Sequence, residues 1–389
     1  MSREIRIIAT TDLHGLFYDG HHTPRPAGSL AGVRHFVNEA RKEYPGPLFL
    51  ADAGDFIGGG LAVWHGIYDN PGATDISPGR VGYDAMAPGN HDLDIGLSRF
   101  GRYAAAAGTP MVAANVSGAS PYVRPYTVVS RGGVSIGFAG WTTAETQPLM
   151  DSFSVSGDID SVRKAIDSLG RGPGPDLTVL LAHAGPDECR TILSEVDGFD
   201  LAICGHEHST RGVYTGPGGV PIVNPGPYGL TLADICVDLP SRKAEAKIVS
   251  LAHHPCPMPG ALVEADARTL IPETAPRSLD EAIHRCVHSL GADISVTDIS
   301  GITLSGPLTV GQSFRILPYD DRLAYFEVPA GWRPDGETFS VSVSRSIPAS
   351  GTAMAIATVH TYALMGKPGR LTSVSPLPLR SHLLDFFGR

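Results

Sequence analysis

The sequence predicts a layered α/β domain, with sheets inside and helices outside, followed by a second, smaller domain. Two observations predict this organisation. Strand-like and helix-like segments alternate through about the first 250 residues, and a Pro-rich stretch then separates them from the rest of the chain. The length of 389 residues also exceeds what one ordinary hydrophobic core accommodates, which favours two domains.

The first domain is expected to contain short buried strands and amphipathic helices. Apolar runs predict strands at 5–9, 48–51, 111–115, 177–182, 201–204, 230–239 and 243–252. Helical periodicity predicts helices at 30–44, 97–107 and 159–169. Gly-rich turns predict two hairpins, 126–130 with 134–139 and 212–215 with 220–223.

Five prolines between positions 255 and 276 mark the predicted domain boundary. We therefore expect a first domain at 1–255, a Pro-rich linker at 256–277 and a second domain at 278–389. A predicted helix at 279–290 opens this second, β-rich domain.

Composition excludes several classes of protein. Hydrophobic residues make up 42% and charged residues 18%, which is typical of a globular protein. The formal net charge of -10, without a basic tract, argues against a nucleic-acid polymer as partner. Phosphate compounds remain candidate substrates, because a metal cluster supplies local positive charge. No apolar run is long enough to span a membrane and no signal-peptide core is visible, so we expect a cytoplasmic protein, with a trimmed signal as the alternative.

Five short polar segments each follow or end an apolar strand, and each lies in a Gly-rich turn. Such turns place side chains at the carboxyl ends of strands, where open α/β sheets bind ligands. The side chains concerned are Asp12, His14, Asp55, Asn90, His91, Asp92, His183, His206 and His208.

This set of side chains predicts a metal centre. Asp, His and Asn, without Cys, favour Mn, Fe, Zn or Mg in an oxygen and nitrogen site, and the sequence does not select among these metals. One ion cannot use all of these groups, whereas two ions that share a bridging carboxylate can. A two-metal centre activates a water and clamps the oxygens of a phosphoryl group.

The five segments resemble the motif series of the calcineurin-like metallophosphoesterases, D-x-H, G-D, G-N-H-D/E, H and G-H-x-H. The wider context at 10–15, 53–55, 89–96, 114–116 and 224–229 resembles the 5′-nucleotidase branch, over about residues 1–250. The resemblance implies a four-layer α-β-β-α sandwich with a second, smaller α+β domain.

The resemblance also implies roles for individual residues. Asp12, His14 and His208 would hold the first metal, Asp55 would bridge both metals, and Asn90, His183 and His206 would hold the second. His91 would stabilise charge on the phosphoryl group or protonate the leaving oxygen, and Asp92 would orient His91.

The second domain departs from the pattern of this branch. Its usual Asn-Gly-Gly-Gly-Ile-Arg turn is replaced at 297–303, and the Arg is absent, whereas 306–318 resembles the start of the substrate domain. The substrate pocket is therefore expected to be remodelled. The candidate substrate-binding residues are Asn115, Phe314, Arg315, Tyr319, Arg322, Tyr325 and Arg345.

The resulting expectation is a dinuclear-metal phosphomonoesterase that hydrolyses a nucleotide or modified nucleotide to nucleoside and orthophosphate. A phosphodiesterase, for example for cyclic nucleotides, and a phosphatase for a non-nucleotide metabolite are the alternatives. A non-catalytic binding protein is disfavoured because every expected ligand is present.

Overall fold

The structure, a computed structural model, divides into two compact units. The first comprises Met1–Val63 and Thr74–Met258, and the second comprises Trp64–Ala73 and Pro259–Arg389. It describes residues 4–18, 30–58, 60–66, 81–96, 99–100, 103, 108–118, 122–144, 153–251, 255, 257, 260–272, 278–298, 302, 304, 306–313, 317, 322–334, 338–344 and 351–387.

The strands of these residues are numbered in chain order. They are β1 (Glu4–Thr10), β2 (Leu48–Asp52), β3 (Ala85–Met86), β4 (Met111–Val112), β5 (Val116–Ser117), β6 (Val123–Arg124), β7 (Tyr126–Arg131), β8 (Val134–Thr142), β9 (Ser154–Val155), β10 (Leu177–His183), β11 (Leu201–Cys204), β12 (Gly212–Thr215), β13 (Pro221–Asn224), β14 (Thr231–Asp238), β15 (Lys243–Ser250), β16 (Thr269–Ile271), β17 (Ile294–Thr297), β18 (Leu308–Thr309), β19 (Arg322–Pro329), β20 (Ser340–Val343), β21 (Thr352–Thr358) and β22 (Arg370–Pro378).

The helices are numbered in the same way. They are α1 (Leu30–Glu43), α2 (Leu61–Trp64), α3 (Asn90–Asp94), α4 (Asp160–Leu169), α5 (Pro186–Glu195), α6 (Gly260–Ala267), α7 (Leu279–Ser289), α8 (Val310–Ser313), α9 (Val359–Leu364) and α10 (Leu379–Phe387).

Two sheets form the centre of the first unit. One has the order β15-β14-β1-β2-β3-β4-β6, and the other has the order β12-β13-β11-β10-β8-β7. In the first sheet β1, β2, β3, β4 and β6 run parallel, and in the second sheet β8, β10, β11 and β13 run parallel. The pairs β1–β14, β14–β15, β7–β8 and β12–β13 are antiparallel. Parallel strands end at the same edge, so the loops after β1, β2, β10 and β11 gather at the carboxyl edges of the sheets.

The main core of this unit lies between the two sheets. Ile7 and Phe49 from the first sheet pack in one cluster with Ile136, Phe138 and Val179 from the second, and all five are fully buried. Strands covered on both faces need nearly continuous apolar sequence, which explains why β1, β2, β10 and β11 are mostly apolar.

Helices cover the outer faces of both sheets. The guanidinium of Arg6, on β1, lies 5.7 Å from the ring centroid of Phe36 on α1. Val162 of α4 and Ile192 of α5 pack in one cluster with Leu180 of β10. The first unit is therefore a four-layer α-β-β-α sandwich, as the sequence predicted.

The second unit is smaller and has its own five-stranded sheet, in the order β20-β17-β21-β19-β22. Its core includes a buried arginine, Arg380 of α10, whose Nε donates to Oγ of Ser313 at 2.8 Å and whose guanidinium also contacts the carbonyl oxygen of Leu317. These contacts hold the part of the chain that resembles the start of a substrate domain.

The range predicted as a linker, 256–277, contains α6 and β16, which belong to the second unit. An irregular linker over the whole range was therefore wrong. The reason is that no proline occurs between positions 260 and 271, so the prolines flank the two elements without interrupting them.

Two other features differ from the sequence expectations, and a third expectation is not tested by the described residues. Helix α5 was not predicted, although a proline at its first position is a typical helix start. The strand expected at 111–115 is only two residues long. The helix expected at 97–107 falls mostly outside the described residues.

Among the described residues, we find no helix with the length and hydropathy that crossing a membrane requires.

The close approach of the two sheets at Gly140 can be tested by adding one methyl group. A Cβ at this position would lie 2.0 Å from the backbone oxygen of Val112. We expect Gly140→Ala to lower the free energy of unfolding by about 1–3 kcal/mol or more, measured by urea unfolding. Gly157→Ala is the matched control, because its Cβ would meet no atom within 4 Å. Equal stability of the two variants would contradict this account.

Candidate metal centre

The predicted ligands lie at the carboxyl ends of strands from both sheets of the first unit. Asp12 and His14 follow β1, and Asp55 follows β2. His183 is the last residue of β10. Asn90 begins α3, and His206 and His208 follow β11. Segments that are far apart in sequence therefore converge in the fold.

Backbone hydrogen bonds join these loops to one another. The amide of Asp12 donates to the carbonyl of Gly54, and the amide of His14 donates to the carbonyl of Asp55, both at 2.8 Å. The amide of Tyr228, in the loop after β13, donates to the carbonyl of Asp12 at 2.8 Å. These bonds fix the positions of the ligand-bearing backbones relative to each other.

Four of the ligand residues adopt left-handed backbone conformations, with φ of 52° at Asp12, 46° at His14, 52° at Asp55 and 69° at His206. Such conformations are uncommon for residues other than glycine and cost on the order of 1–3 kcal/mol each. The backbone hydrogen bonds between the loops maintain these strained conformations. The conformations direct the four side chains toward one another.

Glycine is required at two positions because the backbone there lies so close to the ligand residues that a side chain would clash. A Cβ on Gly89 would lie 2.0 Å from Oδ1 of Asp55. A Cβ on Gly205 would lie 1.9 Å from Oγ1 of Thr11 and 3.0 Å from Oδ2 of Asp12. The glycines of the G-N-H-D and G-H-x-H segments therefore make room for the two carboxylates.

The first cluster contains Asp12, His14 and His208. Nε2 of His14 lies 3.0 Å from Nε2 of His208. Oδ1 of Asp12 lies 3.4 Å from Nε2 of His208 and 3.9 Å from Nε2 of His14. These three atoms converge on one point, as the ligands of a single ion would.

The second cluster contains Asp12, Asp55 and His183, so Asp12 is common to both clusters, and Asn90 lies beside the second. Nε2 of His183 lies 3.2 Å from Oδ2 of Asp55 and 3.1 Å from Oδ1 of Asn90. The ring of His206 lies 5.1 Å from the ring of His183, centroid to centroid. Oδ2 of Asp55 also lies 3.8 Å from Nε2 of His14, so this one oxygen faces a histidine of each predicted ligand set. That position fits a bridging carboxylate.

Hydrogen bonds at the Nδ1 atoms of His14 and His183 orient both rings for metal binding. Nδ1 of His14 donates to the carbonyl of Gly58 at 2.7 Å, and Nδ1 of His183 donates to the carbonyl of Ala53 at 2.8 Å. A carbonyl accepts only, so in the neutral ring the proton resides on Nδ1 and the lone pair of Nε2 points into the cluster. The donor set therefore fits divalent metal ions.

The charges of the site point to the same conclusion. Burial raises the pKa of the Asp55 carboxyl, but the nearby imidazoles of His183 and His91 outweigh burial and hold that pKa well below its usual range. Burial lowers the pKa of His183, but Asp55 and Asp12 raise it to about 10. The buried carboxylates are therefore stabilised by nearby positive charge. Protons on the imidazoles or bound cations can provide that charge.

His91 is oriented by a different carboxylate from the predicted one. Its Nδ1 lies 2.9 Å from Oδ2 of Asp94. Asp92 instead accepts hydrogen bonds from the backbone amides of Phe56, Ile57 and Gly89. The predicted role of Asp92 was wrong because residues three apart share a face of a helix, whereas adjacent residues do not.

The pKa of His91 is raised. Burial alone would lower it, but the negative charge of Asp55 and the hydrogen bond to Asp94 outweigh burial and raise the pKa to about 9. The backbone amide of His91 also donates to Oδ1 of Asp55 at 2.9 Å. His91 therefore lies beside the cluster with its ring held from one side and its backbone from the other.

Asn115 was predicted to contact substrate, and the structure corrects this. The side chain is 3% exposed, and its Nδ2 donates to the carbonyls of Thr142 and Ser156. Its Oδ1 accepts from the amide of Thr142. A buried amide already engaged in this way joins two backbone segments and is not available to a ligand.

The remaining candidate substrate residues belong to the second unit. Arg322 and Tyr325 lie on β19, where Arg322 is buried and Tyr325 is half-buried. Phe314, Arg315, Tyr319 and Arg345 lie outside the described residues. The role of these six residues stays a prediction.

Three residues of the site were missed by sequence reasoning. They are Thr11, whose hydroxyl donates to Oδ2 of Asp12 at 2.7 Å, Asp94, and Tyr228, whose hydroxyl lies 3.0 Å from Nδ1 of His208. The spacing of Asp94 from His91 was a usable signal, since residues three apart meet on a helix. No local pattern connects Tyr228 with His208, because their contact depends on two separate loops.

Comparison with known families identifies the class of protein. The profile of the calcineurin-like phosphoesterase family matches residues 5–210, which is more than half of the chain and includes every predicted metal ligand. The chain belongs to the calcineurin-like phosphoesterase family. This confirms the family predicted from the motif series.

Within the family, the chain is similar to 5′-nucleotidases. It is 29% identical over 206 residues to the 5′-nucleotidase of Mus musculus, which covers 49% of this chain and 34% of that protein. It is 27% identical over 234 residues to a snake venom 5′-nucleotidase of Gloydius brevicauda, which covers 55% of this chain and 38% of that protein. The matches thus span well under half the length of these relatives.

One solved structure shares the fold of nearly the whole chain. The 5′-nucleotidase precursor from Thermus thermophilus superposes with a TM-score of 0.68 at 17% sequence identity, covering 99% of this chain and 96% of that one. This likeness confirms the predicted α/β fold with a second, smaller domain.

The exchange of roles between Asp92 and Asp94 can be tested by stability measurements on the metal-free protein. We expect Asp92→Asn to lower the free energy of unfolding by about 1–3 kcal/mol, because a buried amide donor loses its acceptor. We expect Asp94→Asn to change it by less than about 0.5 kcal/mol, because its side chain is partly exposed and bonds only His91 among the residues described. Urea unfolding of both variants measures the difference, and the reverse order would contradict the assignment.

Proposed function

We propose that the chain is a dinuclear metal-dependent phosphomonoesterase that hydrolyses a nucleotide or modified nucleotide to nucleoside and orthophosphate. The observation that carries the proposal is the convergence of buried carboxylates and imidazole Nε2 atoms, with Oδ2 of Asp55 facing one histidine of each cluster. The hydrogen bonds from Nδ1 of His14 and of His183 to backbone carbonyls turn Nε2 of both rings toward the carboxylates, as metal ligation requires.

The residues of the two clusters would divide between two ions. Asp12, His14 and His208 would hold one ion, Asn90, His183 and His206 would hold the other, and Asp55 would contact both. Mn, Fe, Zn and Mg all accept such ligands. Bound divalent ions would supply Lewis-acid stabilisation of the phosphoryl oxygens and an activated water.

The chain itself supplies a positioned proton donor beside the cluster. Asp94 accepts from Nδ1 of His91 and so fixes the ring, and the backbone bond to Asp55 fixes the start of α3. With this support, His91 would stabilise charge on the phosphoryl group and protonate the leaving oxygen. Proton transfer by a positioned side chain contributes typically about 10²–10⁴-fold to rate.

Nucleotides are the proposed substrates because the relatives are named as 5′-nucleotidases and the fold includes a second unit like theirs. The altered turn at 297–303 favours a modified nucleotide over a general nucleotidase activity, since the Arg expected there is absent.

The first measurement is orthophosphate release from a panel of nucleoside monophosphates, sugar phosphates and cyclic nucleotides with added Mn²⁺. We expect release from a nucleoside monophosphate, and loss of that release in Asp55→Asn. Release from sugar phosphates alone would overturn the nucleotide proposal. Cleavage of a cyclic nucleotide without orthophosphate would indicate a diesterase.

The role of His91 gives a second test. We expect His91→Gln to lower kcat by about 10²–10⁴-fold, because it removes the proton donor. The metal content of the variant should equal that of the wild type, since His91 is not a proposed ligand. Elemental analysis and steady-state kinetics measure both quantities, and full activity of the variant would exclude this role.

A further inference from the structure

The outer hydrogen bonds of the metal-facing histidines differ in kind. Nδ1 of His14 and Nδ1 of His183 each donate to a backbone carbonyl. Nδ1 of His208 instead lies 3.0 Å from the phenol oxygen of Tyr228. The orientation of His208 therefore depends on a side chain from a separate loop, and that side chain lies outside the residues matched by the family profile.

Tyr228 is held tightly in an unusual conformation. Its φ of 65° is left-handed, which is uncommon for a bulky residue and costs on the order of 1–3 kcal/mol. Its amide donates to the carbonyl of Asp12, and its ring centroid lies 5.1 Å from that of His208 and 5.7 Å from that of His14. Glycine would relieve the strain, but it would remove the ring and the hydroxyl from the cluster.

The chemistry of the bond sets its direction. If Nε2 of His208 offers its lone pair to a cation, the proton of the neutral ring must be on Nδ1. Nδ1–H then donates to the phenol oxygen of Tyr228, and this bond holds the ring in the orientation that metal binding needs. Outer partners of this kind typically change metal affinity by about 10–100-fold.

We propose that Tyr228 is a positioning residue that acts through His208 and tightens the binding of a divalent cation at the cluster of Asp12, His14 and His208. The inference rests on the proposed metal centre and adds to it a determinant of affinity. It involves no contact between Tyr228 and substrate.

The test is a titration of metal-free protein with Co²⁺ alone. Binding is measured by the visible absorption of the bound ion and by equilibrium dialysis. In Tyr228→Phe we expect one of two Co²⁺ sites to weaken about 10–100-fold and its absorption spectrum to change, with the other site unaltered. The unfolding midpoint of the metal-free variant should match the wild type, because the ring is retained. Tyr44→Phe is the matched control, since the Tyr44 hydroxyl donates only to the carbonyl of Glu4 among the described contacts.

A double-mutant cycle separates this role from general packing. In the His208→Ala background, Tyr228→Phe should change Co²⁺ affinity no further, because its effect passes through His208. Unchanged Co²⁺ binding in Tyr228→Phe, or an equal loss in Tyr44→Phe, would overturn the assignment of Tyr228 alone. A wild-type protein that binds no Co²⁺ would overturn the proposed metal centre as well.

Discussion

The structure of the site depends on two carboxylates, Asp12 and Asp55, that are 1% and 2% exposed. A buried carboxylate is costly unless positive charge and hydrogen-bond donors surround it. Here the imidazole of His183, whose pKa the carboxylates raise to about 10, supplies positive charge, and hydroxyl and amide donors complete that environment. The left-handed backbones and the glycines at 89 and 205 are consequences of this requirement, because they bring the carboxylates and imidazoles together.

The two-sheet architecture makes this convergence achievable. One sheet contributes the loops after β1 and β2, and the other contributes the end of β10 and the loop after β11. Because the parallel strands of each sheet end at one edge, ligands far apart in sequence lie within hydrogen-bonding distance, as His183 and Asn90 do at 3.1 Å. The rigid apolar core between the sheets then keeps the loops in register.

Supporting residues distinguish this site from a simple cluster of polar groups. Asp92 ties the backbone after β2 to the start of α3, whereas Asp94 orients His91, so two carboxylates of one short helix have different roles. Asn115, in contrast, uses its side-chain amide to join two backbone segments. The role of an Asp or Asn in a motif therefore cannot be assigned from the residue type alone. It follows from the hydrogen-bond partners of the side chain.

The sequence by itself determined the layered α/β fold, most strands of the first unit and which side chains converge at the carboxyl ends of those strands. It did so because buried parallel strands require nearly continuous apolar sequence, and because Asp, His and Asn in Gly-rich turns after such strands form a distinctive pattern. Only the tertiary structure decided which carboxylate contacts His91, that Asn115 is buried, that Tyr228 contacts His208, and that α6 and β16 lie in the Pro-rich stretch. These features depend on contacts between loops distant in sequence, or on the packing of short elements, and neither leaves a periodic signal along the chain.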